Sequence, residues 1–122
     1  MAASYRDLVA WQKSVAFVTD IYRVTSNFPR HELFGLTAQL RRASVSVPSN
    51  IAEGQARFSK PEFRHFLRNA KGSLAEVETQ LVISKNLGHL NEDESSKLLS
   101  KVDELGRILS GLIGSLEKNA RH

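Results

Sequence analysis

Apolar residues return every three or four positions along this chain, in four successive stretches. That spacing marks helices that each bury one face. No stretch alternates apolar and polar residues as a half-buried strand does, so the chain reads as all-α. Short linkers between the stretches imply that neighbours pack antiparallel, giving an up-and-down four-helix bundle. A length of 122 residues fits one such domain over residues 1–122.

The first helix is expected from about Ser4 to Asn27, with Leu8, Trp11, Val15, Val18 and Tyr22 on its buried face. Phe28-Pro29 ends it, because a residue before proline is pushed out of the helical region. The second runs from about His31 to Arg57, with Leu33, Leu36, Leu40, Ala43, Val47, Ile51 and Gly54 in line. Pro48 lies inside it and clashes with the carbonyl of Ser44, so the helix is expected to kink there. The apolar phase continues from Val47 to Ile51, which favours one kinked helix over two short ones. Ser59-Lys60-Pro61-Glu62 has the form of a capping box opening the third helix. Its seam is Phe63, Leu67, Ala70, Leu74, Val77 and Leu81, and Gly88 marks its end. Asn91 to Glu94 caps the fourth, whose seam is Leu98, Val102, Leu105, Leu109, Leu112 and Leu116.

The chain has no cysteine, which excludes disulfides, thiolate metal sites and thiol catalysis and suits a cytoplasmic protein. Charges interrupt every apolar run well before the ~20 residues that a membrane span needs. The N-terminus lacks a signal-peptide pattern.

The net charge of +4 is unevenly placed. Between Arg41 and Lys71 stand seven basic residues (Arg41, Arg42, Arg57, Lys60, Arg64, Arg68, Lys71) against two acidic ones, a net +5, whereas the remainder nets −1 from ten basic and eleven acidic residues. On a helix, Arg57, Lys60, Arg64, Arg68 and Lys71 fall within an arc of about 80°, beside the apolar seam. Like charges at that spacing repel, so a stripe of this kind suits a phosphate backbone lying along it. Its rival explanation is a merely solvated face. Arg41 and Arg42 extend the patch if the second helix packs alongside.

No spacing implies a catalytic triad, a metal site or a phosphate-cradling loop. Glu62-x-x-His65 matches half of a di-iron motif, but no second copy exists, and both residues point away from the seam. His31, His89 and His122 fall in loops or at the terminus without companions in sequence. The expectation is a non-enzyme with no cofactor, no metal and no small-molecule substrate. Gly106, Ser110 and Gly114 form a line of small residues on the fourth helix and are expected to admit a neighbouring subunit. Asn50 and Glu53, in the unusual stretch Ser46 to Gly54, can serve either a tight kink or a functional surface.

That stretch carries a resemblance. Gly35-Leu36-Thr37-Ala38-Gln39-Leu40-Arg41-Arg42-Ala43, leading to Ser46-Val47-Pro48-Ser49-Asn50-Ile51-Ala52-Glu53-Gly54, closely resembles the hallmark of bacterial four-helix bundle proteins, also called 23S rRNA-intervening sequence proteins. Trp11-Gln12-Lys13, Phe28-Pro29 with Glu32, Phe63 with Phe66-Leu67, and Gly72 to Leu81 fit as well. The resemblance implies an antiparallel bundle assembling into a homopentamer, with an occasional ribosomal-protein label and no settled biochemical role. The accessory variability proteins of diversity-generating retroelements, basic pentamers that work with a reverse transcriptase and RNA, are similar in fold. The family motif covers Arg41, Arg42, Asn50 and Glu53 and supplies no catalytic residue.

The resulting expectation is a non-enzymatic oligomeric scaffold that binds RNA or DNA through Arg41, Arg42, Arg57, Lys60, Arg64, Arg68 and Lys71. The alternative is a protein–protein adaptor whose basic residues make intersubunit contacts, with no nucleic-acid role.

Overall fold

In the computed structural model, residues 4–120 are described, with side chains through Glu117. Four helices follow one another: α1 (Val9–Thr25), α2 (Leu36–Ala56), α3 (Lys60–Asn86) and α4 (Glu92–Ala120). Single 3-10 turns at Tyr5–Asp7 and Arg30–Glu32 precede α1 and α2, and no strand occurs among the described residues.

The caps explain where helices start and stop. Ser59 is extended, and its hydroxyl accepts from the Glu62 backbone N–H at 3.4 Å, opening α3 as expected. Asn91 and Glu94 exchange side-chain and backbone bonds at 2.8 and 3.1 Å, a complete capping box at the head of α4. At the far end of α3, Gly88 has φ +82°. Its N–H donates to the Lys85 carbonyl, while the His89 N–H donates to that of Ser84. Both bonds are those of a Schellman motif, and glycine meets the left-handed requirement without a Cβ penalty.

Each helix packs on its neighbour in the chain, and α1 closes the ring against α4. The pairs run antiparallel: Ser46 of α2 bonds Ser73 of α3, Arg64 of α3 reaches Leu116 of α4, and Lys85 reaches Glu92. The core draws on all four, with Phe17, Ile21, Leu40, Val47, Ile51, Leu67, Val77, Leu81, Leu105 and Leu109 essentially out of water. Burial of this kind contributes roughly 1.5–3 kcal/mol per large side chain before the ordering cost is set against it. Pro48 is buried within α2, which stays one helix through it.

Two expectations about helix faces need correction. The buried face of α1 is Ala10, Ser14, Phe17, Ile21 and Thr25, whereas Val15 and Tyr22 are exposed. Two apolar lines run along this helix, about 110° apart at 100° per residue, and periodicity alone does not rank them. The winning line combines bulky Phe17 and Ile21 with small Ala10 and Ser14, which let neighbouring helices approach. The helix also begins later than Ser4, since Leu8 is extended with ψ 127°. Similarly, α2 begins at Leu36 rather than near His31, and Leu33 is half exposed. Glu32 marks that start: its Oε1 accepts from the Leu36 N–H at 3.2 Å.

Candidate nucleic-acid interface

The seven expected contact residues sit in three places rather than one. Arg41 turns towards α1. Its Nε donates to Thr25 Oγ1 at 2.9 Å, a terminal nitrogen donates to the Tyr22 carbonyl at 3.3 Å, and the guanidinium lies 4.4 Å from the Tyr22 ring centre. A cation at those last carbonyls of α1 also suits the helix dipole. Arg41 is thereby a clamp between α1 and α2. Arg42, its chain neighbour, is exposed and lines the α2–α3 groove with Gln39, Ser46, Glu76 and Gln80. The roughly 100° turn between consecutive helical residues separates their roles.

The other five line the flank of α3 that faces α4 or lead into it. Arg57, just past α2, pairs with Glu53 at 2.8 Å and reaches Glu62 at 4.0 Å, with its guanidinium 5.2 Å from the Phe66 ring centre. Arg68 pairs with Glu117 of α4. Arg64 donates to the Leu116 carbonyl at 3.4 Å, and Lys71 Nζ donates to Ser110 Oγ at 2.7 Å. Lys60 is exposed at the first turn of α3. Thus Arg57 and Arg68 are matched by carboxylates of the same chain. Lys60, Arg64 and Lys71 make no ion pair with a carboxylate among the described residues. Stems laid along the helix with heads outward are what the position beside the seam allows.

The motif residues Asn50 and Glu53 are engaged within the chain. Asn50 Nδ2 donates to the Ser46 carbonyl at 2.8 Å and to Ser46 Oγ at 3.0 Å, and Ser46 Oγ in turn bonds Ser73 Oγ at 2.8 Å. This polar chain ties α2 to α3. Gly54 sits where the two helices approach closely: a Cβ there would stand 2.6 Å from Phe66 Cβ and 3.1 Å from Phe63 Cδ1. The unusual stretch therefore builds a tight helix contact. The small-residue line on α4 is turned partly inward as well, since Gly106 faces Leu74 and Ser110 accepts from Lys71, both on α3. Only Gly114 in that line has open space around it.

A second cluster was hidden from sequence spacing. The loop before α2 and the turn between α3 and α4 meet at one end of the bundle. His89 Nε2 lies 3.0 Å from Glu32 Oε2, and the His31 ring stands 6.1 Å from that of His89. Phe28 packs against His89, with ring centres 5.4 Å apart. The hydrogen bond from His89, then that from the Leu36 N–H, holds the Glu32 carboxyl below its ordinary 4.5, against a smaller opposing effect of burial. The separation of 57 positions between Glu32 and His89 leaves no local signal. His65 stands apart beside Phe66, and His122 lies outside the described residues. No helix among the described residues is long and apolar enough to cross a membrane.

Comparison with known proteins places this geometry. No curated protein matches the chain. Among solved structures, a protein of unknown function of the S23 ribosomal protein family from Bacteroides thetaiotaomicron superposes with a TM-score of 0.78. It is 22% identical, and the match covers 86% of this chain and 98% of that one, so the two share the fold. The model of the 23S rRNA-intervening sequence protein family matches residues 6–111. That span takes in the Arg41 clamp, the Asn50–Ser46–Ser73 chain and the Gly54 contact, and this chain belongs to the 23S rRNA-intervening sequence protein family.

Proposed function

We propose that this protein is a non-enzymatic scaffold that self-associates through the outer apolar face of α1 and meets a nucleic-acid backbone with the cationic flank of α3. The observation that carries the nucleic-acid reading is the set Lys60, Arg64 and Lys71, three cations on one flank without a carboxylate partner among the described residues. Cations so placed release counterions when they meet phosphates, which drives binding that is strong at low salt and indifferent to base sequence. With about three phosphates neutralised, log K falls against log salt with a slope of roughly −2 to −3.

Self-association is supported by Val15 and Tyr22, large side chains left exposed on α1, with Val18 half-buried between them. Val45 lies exposed on the adjoining α2. An apolar stripe that the core does not use suits a second copy of the chain, and the homopentamer implied by the family resemblance is the assembly to look for.

Lys60→Glu combined with Lys71→Glu tests the nucleic-acid reading, since both side chains are exposed and neither closes the core. In filter binding at low salt the double variant is expected to lose retention of RNA and DNA while keeping its helicity and mass. Undiminished retention would overturn the proposal. Loss of the oligomer in light scattering, with retention by the wild type absent, would favour the adaptor in which these residues hold subunits together.

A further inference from the structure

The end of the bundle where the α1–α2 loop meets the α3–α4 turn has the chemistry of a metal site. His31, Glu32 and His89 each offer one ligand atom, and these three atoms lie within 4.8 Å of one another. We propose that this His-Glu-His cluster binds a first-row divalent cation of the zinc type and thereby staples the two loops together.

Three features of the geometry support this. The first is spacing. Ligand atoms around a tetrahedral zinc ion, at bonds of about 2.0–2.1 Å, stand roughly 3.3 Å apart. His89 Nε2 and Glu32 Oε2 are already 3.0 Å apart, close to the separation of two ligands of one ion. His31 is exposed, and its ring is free to swing in and close the remaining gap.

The second feature is preorganisation. One oxygen of Glu32 accepts from the Leu36 N–H at 3.2 Å, which leaves the other for a ligand. A ligating carboxylate fixed from behind in this way is the usual support for a bound ion. Gly35 makes room for the arrangement, because a Cβ there would stand 2.8 Å from Glu32 Oε1. His89 is held in turn: its side chain is only 10% exposed, and Phe28 packs against its ring. Two of the three ligands are therefore set in place before any ion arrives.

The third feature is donor type. Two imidazole nitrogens and one carboxylate oxygen, without thiolate, suit zinc and its first-row neighbours better than magnesium or calcium, which prefer all-oxygen sites. Three protein ligands leave a fourth position for water or an external group. The chemical consequence is a crosslink between positions 31–32 and 89, closing a long stretch of chain at the bundle end that carries no cysteine to do so.

The test uses the full chain without an affinity tag, titrated with zinc chloride by calorimetry and followed by thermal unfolding. One zinc ion per chain is expected, with the unfolding midpoint raised by roughly 10 °C at a free-zinc concentration about 100 times Kd. His31→Ala removes an exposed ligand without touching the core and should weaken binding at least about 10-fold. Glu32→Gln, which keeps an acceptor for the Leu36 N–H, should do the same, whereas His65→Ala should bind like the wild type. The proposal is overturned if no zinc binds below about 1 mM, or if His31→Ala and Glu32→Gln, still helical by circular dichroism, bind with wild-type affinity.

Discussion

The α2–α3 seam and the α1–α4 seam join helices of the same bundle by opposite means. Between α2 and α3 the residues at the contact are small: Gly54 leaves no room for a Cβ, and Ser46 meets Ser73 through hydroxyls at 2.8 Å. Between α1 and α4, long side chains span a wider gap. Lys13 pairs with Glu104 and Lys101 with Asp20, all on the surface except the partly covered Asp20. Packing at atomic contact is unforgiving of volume, whereas solvent-exposed ion pairs contribute little and adapt. The close-packed half thus tolerates little change in volume, and the looser half leaves α1 with an apolar stripe to spare.

The largest break in this contrast should come from Ile51→Ala, which empties a fully buried site on the tight seam. It is expected to destabilise by about 2–5 kcal/mol in urea unfolding. Gly54→Ala comes next. Helix propensity favours alanine by up to about 1 kcal/mol, but the added Cβ meets Phe66 Cβ, which cannot rotate away. A net loss of about 1–2 kcal/mol is expected, and a neutral result would show that the seam can open at no cost.

Acid should separate the two halves further. The hydrogen bond from Lys13, followed by its charge, holds the Glu104 carboxyl below its ordinary 4.5. A carboxyl depressed on folding contributes stability that is complete above the unfolded value and is lost as pH falls through the lower folded one. Below pH 4.5, hydrogen-exchange protection on α1, relative to the intrinsic rate at the same pH, should therefore fall before protection on α2 and α3. Glu32, depressed by His89 and by the Leu36 N–H, gives the same sign at the bundle end. Simultaneous loosening of all four helices would mean that the α1–α4 ion pairs carry no share of the difference. The smallest effect on stability is expected from Val15→Glu, within about 0.5 kcal/mol for a surface change. The same substitution should lower the mass seen by light scattering, because it charges the stripe proposed for self-association.

Charge shows where linear reading stops. The cations from Arg57 to Lys71 were legible as a stripe because a helix maps sequence spacing onto angle. Their partners were not, since Glu117 and the Leu116 carbonyl come from another helix 49 and 52 positions away. Arg41 and Arg42, side by side in sequence, ended on different grooves for the same reason. In the sequence His31 and His89 stand without companions and Glu32 falls at the head of the second helix, because nothing local links the approach to α2 with the end of α3.

Four helices, their caps at Ser59, Gly88 and Asn91, the seams of α3 and α4, and membership in the family followed from the order of residues alone. These features depend on interactions within a few positions or on periodicity, and both survive without knowledge of the fold. Tertiary structure decided which apolar line of α1 turns inward, which cations find a carboxylate, and which loops meet. Each of those outcomes depends on a partner distant in the chain, and only the packed bundle brings that partner within reach.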